Sequence, residues 1–184
     1  MNDFIFSAHA GERNSSTGSA TSVNSVASVA FEPEIAAEDT VLLKARLSAR
    51  ENNLPFAGSI TPVDAWKLVQ DGLAILVDVR TAEERKFVGH VPEALHVAWM
   101  TGTSMNRNPR FVKELEVKVK DKSAVLLFLC RSGKRSSAAA DAMSKAGYTN
   151  VFNVLEGFEG DLNEAGQRGQ LGGWRLYSLP WVQD

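Results

Sequence analysis

The sequence predicts an α/β fold in which a parallel sheet is covered by helices on both faces. Two runs, residues 74–79 (apolar up to Asp78) and 124–130, are continuous rather than alternating, the pattern of strands buried on both sides. Segments with helical spacing and capping residues separate these runs from one another and from a third, 151–155. Strands that alternate with helices are joined by right-handed crossovers, which require parallel neighbours. The chain has 184 residues, 44% of them hydrophobic and 23% charged, enough for one cored domain with a tail.

The tail comes first. Residues 11–30 are Ser, Thr, Asn, Ala and Val with little charge and no bulky core residue, a composition that cannot offset the entropy of ordering, so a flexible segment is expected. Residues 34–51 turn helical, with Ile35, Val41, Leu42, Leu43 and Leu47 forming an imperfect stripe. Such a helix either docks on the domain or binds a partner, and docking is the commoner fate of an amphipathic face. Residues 52–58 read as a linker, giving an extension over 1–58 and a domain over 59–184.

Within the domain, Thr61-Pro62 opens a helix as N-cap and first helical residue. Val63, Trp66 and Val69 are expected to form its buried side, and Asp71-Gly72 to stop it. The strand over 74–79 follows, and Thr81-Ala82-Glu83-Glu84 has the capping-box spacing of a short helix. Gly89-His90-Val91-Pro92 is a turn, 95–99 a strand, and 109–120 a helix with Phe111, Leu115 and Val119 aligned. The run into Cys130, a helix over 134–146 ended by Gly147, and a strand over 151–155 complete the order.

Charge and cysteine content exclude several function classes. A net charge of −2 gives no reason to expect a nucleic-acid or acidic-membrane partner. One cysteine rules out an internal disulfide, a multi-thiolate metal site and dithiol exchange within the chain. A lone reduced thiol suits the cytoplasm. Residues 1–10 carry no basic stretch followed by an apolar one, and no apolar run approaches the ~20 residues that cross a bilayer, so a soluble protein without a secretory signal is expected.

The chemistry is concentrated where Cys130 leaves its strand and enters Arg131-Ser132-Gly133-Lys134-Arg135-Ser136. In open sheets of this class ligands collect beyond the carboxyl ends of the strands. Three cations, the free amides of a helix start and the helix dipole all favour thiolate over thiol, and the thiolate is the nucleophile. Gly133 lets the loop close into a ring of N–H donors.

The loop resembles the active-site loop of rhodanese (thiosulfate sulfurtransferase) domains. Leu76-Val77-Asp78-Val79-Arg80, Glu83-Glu84 and Gly89-His90-Val91-Pro92 are similar to that family's first conserved region. Asn153-Val154-Leu155-Glu156-Gly157-Phe158, Gly173-Trp174 and Leu179-Pro180 are similar to its end. The resemblance implies a three-layer domain with a parallel sheet of about five strands. It also implies double displacement through a Cys130 persulfide, from thiosulfate or a persulfide donor to cyanide, a thiol or a protein acceptor, with no metal or cofactor. Amides of Arg131, Ser132, Gly133, Lys134, Arg135 and Ser136 would hold the persulfide. Arg131, Lys134 and Arg135 would attract the anionic donor.

Asp78 and Arg80 are read as a buried pair supporting the second strand and its loop, and His90 as a structural turn residue. The alternatives are a buried structural thiol, a non-catalytic binding or redox-sensing module, and a cysteine phosphatase or arsenate reductase. The last families resemble Cys-x5-Arg, whereas here the arginine follows after four residues and Ser136 stands at the phosphatase position. Three departures from the rhodanese pattern stand out: Glu93 where glycine is usual, Gly157 as a single glycine, and a glycine-rich insertion over 159–173.

Overall fold

The computed structural model describes residues 37–183, with side chains from residue 40 onward. The expected flexible segment and the first residues of the expected helix at 34 lie outside the described residues.

Twelve elements follow in order among the described residues. They are α1 (Ala37–Glu51), β1 (Gly58–Ile60), α2 (Pro62–Gln70), β2 (Ile75–Asp78), α3 (Ala82–Val88), β3 (Leu95–His96), β4 (Met100–Thr101), β5 (Asn106–Arg107), α4 (Phe111–Lys118), β6 (Leu126–Leu129), α5 (Lys134–Lys145) and β7 (Val151–Val154). Five strands form one sheet in the order β1-β7-β6-β2-β3, every neighbouring pair parallel. The continuous apolar runs are thus the central strands, as two covered faces require.

The two-residue period of a strand divides the core. Leu126 and Phe128 of β6, and Cys130 just beyond it, face α4 and α5, meeting Phe111, Leu115, Ala139, Ala140 and Met143. Leu127 and Leu129 face the opposite layer with Leu42 and Ala45 of α1, Ala65 and Leu68 of α2, Phe158 and Trp174. Full burial of a side chain such as Phe128 or Leu127 contributes about 1.5–3 kcal/mol. The amphipathic helix docks on the sheet. It does so closely, since a Cβ added at Gly58 would stand 2.5 Å from Ala45 O.

Local signals acted as physical chemistry dictates. Thr61 caps α2 by accepting the Asp64 N–H, and Thr81 and Glu84 form the reciprocal capping box of α3. Phe111, Leu115 and Val119 are all buried. Val63, expected on the buried side of α2, is instead 50% exposed. Pro62, Ala65 and Leu68 form the buried face, with Trp66 and Val69 at its margin.

Two features were not anticipated. Residues 58–60, assigned in part to a linker, make the edge strand β1 against β7. The strand expected over 95–99 is in register with β2 at Leu95 and His96; beyond them the Val97 and Trp99 N–H groups still donate to Asp78 O and Val79 O, and the chain then enters the β4–β5 hairpin, Met100 opposite Arg107. No described helix is long and apolar enough to cross a membrane.

Candidate active site

Cys130 directly follows the carboxyl end of β6 and is 1% exposed. It lies against a cavity of about 280 Å³ lined by Arg131, Ser132, Lys134 and Arg135 on one side and by Met100 and Met105 on the other. The methionines belong to the β4–β5 hairpin and its turn, so the unanticipated element supplies a wall of the site.

The loop is shaped at two glycines. Gly133, the N-cap of α5, has φ 87°, a left-handed conformation that turns the chain from strand into helix without Cβ strain. No side chain caps this helix. Its first helical-type bond is Ser137 N–H to Gly133 O at 3.1 Å, and among the described residues the amides of 131–136 donate to no backbone carbonyl. Those N–H groups, at the positive end of the helix dipole, are free to meet an anion.

Gly157 (φ 64°) lies beneath the loop, where a Cβ would stand 2.5 Å from Cys130 O and 2.6 Å from Ser132 N. The chain next to it holds the loop down, Phe158 N–H donating to Cys130 O at 2.8 Å and Glu159 N–H to Arg131 O at 2.9 Å.

Behind the sulfur, Ser136 is completely buried, so its side chain does not reach the cavity. Its Oγ lies 3.1 Å from Cys130 Sγ, 2.6 Å from Asn153 Oδ1 and 3.1 Å from Gly133 O. One hydroxyl proton serves one acceptor at a time. The shortest of the three contacts is the one in which Ser136 Oγ donates to Asn153 Oδ1, which fixes the hydroxyl behind the sulfur.

The three cations differ. Arg135 lines the cavity, but its Nη1 and Nη2 each donate to Glu84 at 2.6 Å. Burial opposes the charge on this guanidinium, yet the Glu84 hydrogen bonds and charge, together with the charge of Cys130, hold it above its ordinary value. Burial likewise pushes the Glu84 carboxyl up, but the Arg135 and Thr81 hydrogen bonds and the Arg135 charge bring it below the usual range. Arg131 and Lys134 have no acidic partner among the described residues, and Arg131 Nε is buried without a hydrogen-bond acceptor.

Asp78 and Arg80 do not line the cavity. Both are fully buried, with Arg80 Nη2 donating to Asp78 Oδ2 at 2.7 Å and to Gly89 O at 2.8 Å. Arg85 Nη1 adds a second cation 3.1 Å from Asp78 Oδ2, and the Arg80 guanidinium stacks 4.0 Å from the Phe158 ring centroid. Burial would raise the Asp78 carboxyl, but the charge and hydrogen bonds of Arg80, with Arg85, take it below the ordinary range. The pair ties the end of β2 to the turn at Gly89, where His90 forms a backbone bridge with Val182.

Reading the sequence for site residues missed Glu84, Met100, Met105 and Asn153. Asn153 carried a signal, a polar residue inside an apolar strand. Glu84 carried one too, but its capping role accounted for it. From the insertion, Asp161 lines a neighbouring cleft with Ser132, Gly133 and Lys134, and no insertion residue lines the cavity at Cys130.

Comparison with known proteins places the fold in a family. A crystal structure of Rv0390 from M. tuberculosis is 42% identical, covers 70% of this chain and 99% of its own, and superposes with a TM-score of 0.64. An uncharacterised protein of Rickettsia rickettsii is 38% identical over 115 residues, 62% of this chain and 87% of its own length. Thiosulfate sulfurtransferase GlpE of Haemophilus influenzae is 32% identical over 108 residues, 58% of this chain and 89% of its own length. The model of the rhodanese-like domain matches residues 61–164, and the chain belongs to the rhodanese-like domain family.

Proposed function

We propose that this protein is a sulfurtransferase that carries a sulfane sulfur on Cys130. The reading is supported above all by one juxtaposition: a cysteine against a small cavity, at the start of a helix whose first amides have no carbonyl partner. Thiolate Cys130 attacks the outer sulfur of a donor such as thiosulfate. A new S–S bond forms to Cys130, the donor's own S–S bond breaks, and its electron pair leaves with sulfite. The anionic outer sulfur of the persulfide is held by the amides of residues 131–136. A thiolate or cyanide acceptor then attacks that sulfur and returns Cys130 as thiolate, which completes a double displacement.

Arg131 and Lys134 draw the anionic donor in, and the loop amides supply fixed dipoles where the persulfide charge develops. Ser136 and Asn153 position the sulfur from behind. Small thiols, or the exposed thiolate of a partner protein, are the acceptors, and a cytoplasmic setting keeps Cys130 reduced between cycles. Steady-state transfer from thiosulfate to cyanide tests the reading. Cys130→Ser is expected to abolish turnover, and a serine variant with wild-type turnover overturns the proposal. Turnover of an aryl phosphate in place of thiosulfate overturns it in favour of phosphatase chemistry.

A further inference from the structure

We infer that Glu84 sets the charge a sulfur donor can carry at Cys130, and that the site is tuned to a donor with one negative charge at its sulfane sulfur, an organic persulfide, rather than to dianionic thiosulfate. This inference rests on the sulfurtransferase reading and extends it to a residue outside the loop.

Three cations line the cavity. Arg135 meets the Glu84 carboxylate in a two-pronged pair at 2.6 Å, with the two side chains 13% and 12% exposed, so its charge is balanced before any donor arrives. Arg131 and Lys134 keep theirs. With Cys130 as thiolate, a single net positive charge remains. A persulfide, R–S–S⁻, closes that balance, whereas thiosulfate leaves an excess negative charge beside a nearly fully buried sulfur. The opposite wall agrees, because the thioethers of Met100 and Met105 suit a carbon substituent better than a sulfonate. In the transfer, Cys130 bonds to the outer sulfur of R–S–S⁻, the donor S–S bond breaks, and its electron pair leaves with R–S⁻. The persulfide charge stays on the transferred sulfur.

Glu84→Gln tests this: it removes the counter-ion of Arg135 but keeps the cap of α3. Glutamine retains a carbonyl oxygen for the Thr81 N–H, which Glu84 accepts at 3.0 Å, and it serves equally in a capping box. The measurement is single-turnover loading of Cys130 by thiosulfate and by cysteine persulfide, read by quenched mass spectrometry over a range of salt. The wild-type protein is expected to load faster from the persulfide. Glu84→Gln should raise the thiosulfate-to-persulfide rate ratio about tenfold, the scale of one charge acting across a partly wet cavity, and steepen the salt dependence of thiosulfate loading. The double variant Glu84→Gln/Arg135→Gln, which restores the net charge with neutral partners, should return the ratio to the wild-type value.

A ratio unmoved by Glu84→Gln, or two rates that fall together as a purely structural role requires, overturns the inference alone. So does a wild-type preference for thiosulfate, which needs no variant to fold. If wild-type Cys130 accepts sulfur from neither donor, the sulfurtransferase reading falls and takes this inference with it.

Discussion

Gly157→Ala places a methyl group under the loop that carries the nucleophile. The added Cβ would stand 2.5 Å from Cys130 O and 2.6 Å from both the Arg131 carbonyl carbon and Ser132 N. Ordinary contact begins near 3.4 Å, so backbone must move by close to a full ångström. The loop cannot yield freely, because Phe158 and Glu159 N–H groups hold Cys130 O and Arg131 O, and Trp174 N–H holds Gly157 O at 2.8 Å. Alanine also has to adopt φ 64°. The conformational strain is about 1–2 kcal/mol and the overlap about 1–3 kcal/mol, a loss of roughly 2–5 kcal/mol in all. Misplacing a reacting group by ~1 Å costs about 10²-fold in rate. Urea unfolding followed by far-UV circular dichroism, beside thiosulfate:cyanide turnover on the fraction still folded, measures both. An alanine variant with an unchanged urea midpoint and wild-type kcat/KM would refute the claim that this glycine supports the loop.

Other predictions follow from the buried charges and the backbone. Asp78→Asn leaves Arg80 fully buried without its counter-ion and with Nη1 already unpartnered, so a loss of about 3–5 kcal/mol is expected in the urea midpoint at constant slope. Glu93 has φ 62°, so Glu93→Gly relieves about 1–2 kcal/mol of strain against roughly 0.5–1 kcal/mol of added chain entropy; a small rise in Tm checks it. The Asp78 and Glu84 carboxyls lie below their ordinary values of 3.8 and 4.5, so the unfolded chain binds protons before the folded one does. Their stabilisation is therefore complete above those ordinary values and is lost as pH falls below about 4. Urea midpoints between pH 7 and pH 3 test the sign, and Asp78→Asn should flatten the acid limb.

The central strands were legible because burial on both faces leaves an unbroken apolar run, and the capped helices because Thr61, Thr81 and Pro62 act through local geometry. The edge strand at residues 58–60 was not, since three residues beginning with glycine carry no periodicity and pair only because β7 offers a free edge. Val63 faces solvent for a related reason. Three apolar positions at helical spacing do not reveal which side faces the sheet, and the small Ala65 allows the closer approach.

At the site, Cys130 and its loop could be read directly, because strand, nucleophile, cations and helix start are consecutive. Glu84 could not be seen as a partner of Arg135, 51 residues away, because only the fold brings α3 to the loop. The same holds for Met100 and Met105, which reach the cavity through the β4–β5 hairpin and its turn. Glu93 stands where glycine is usual, and its left-handed backbone explains why glycine suits the position.

The most direct test of the account is the mass of the intact protein before and after brief exposure to a sulfane-sulfur donor, with the modified residue located by fragmentation. The account predicts a gain of one sulfur atom on Cys130, removed by cyanide or a thiol and absent from Cys130→Ser. A wild-type protein that gains no sulfur under conditions where its fold is intact would contradict it.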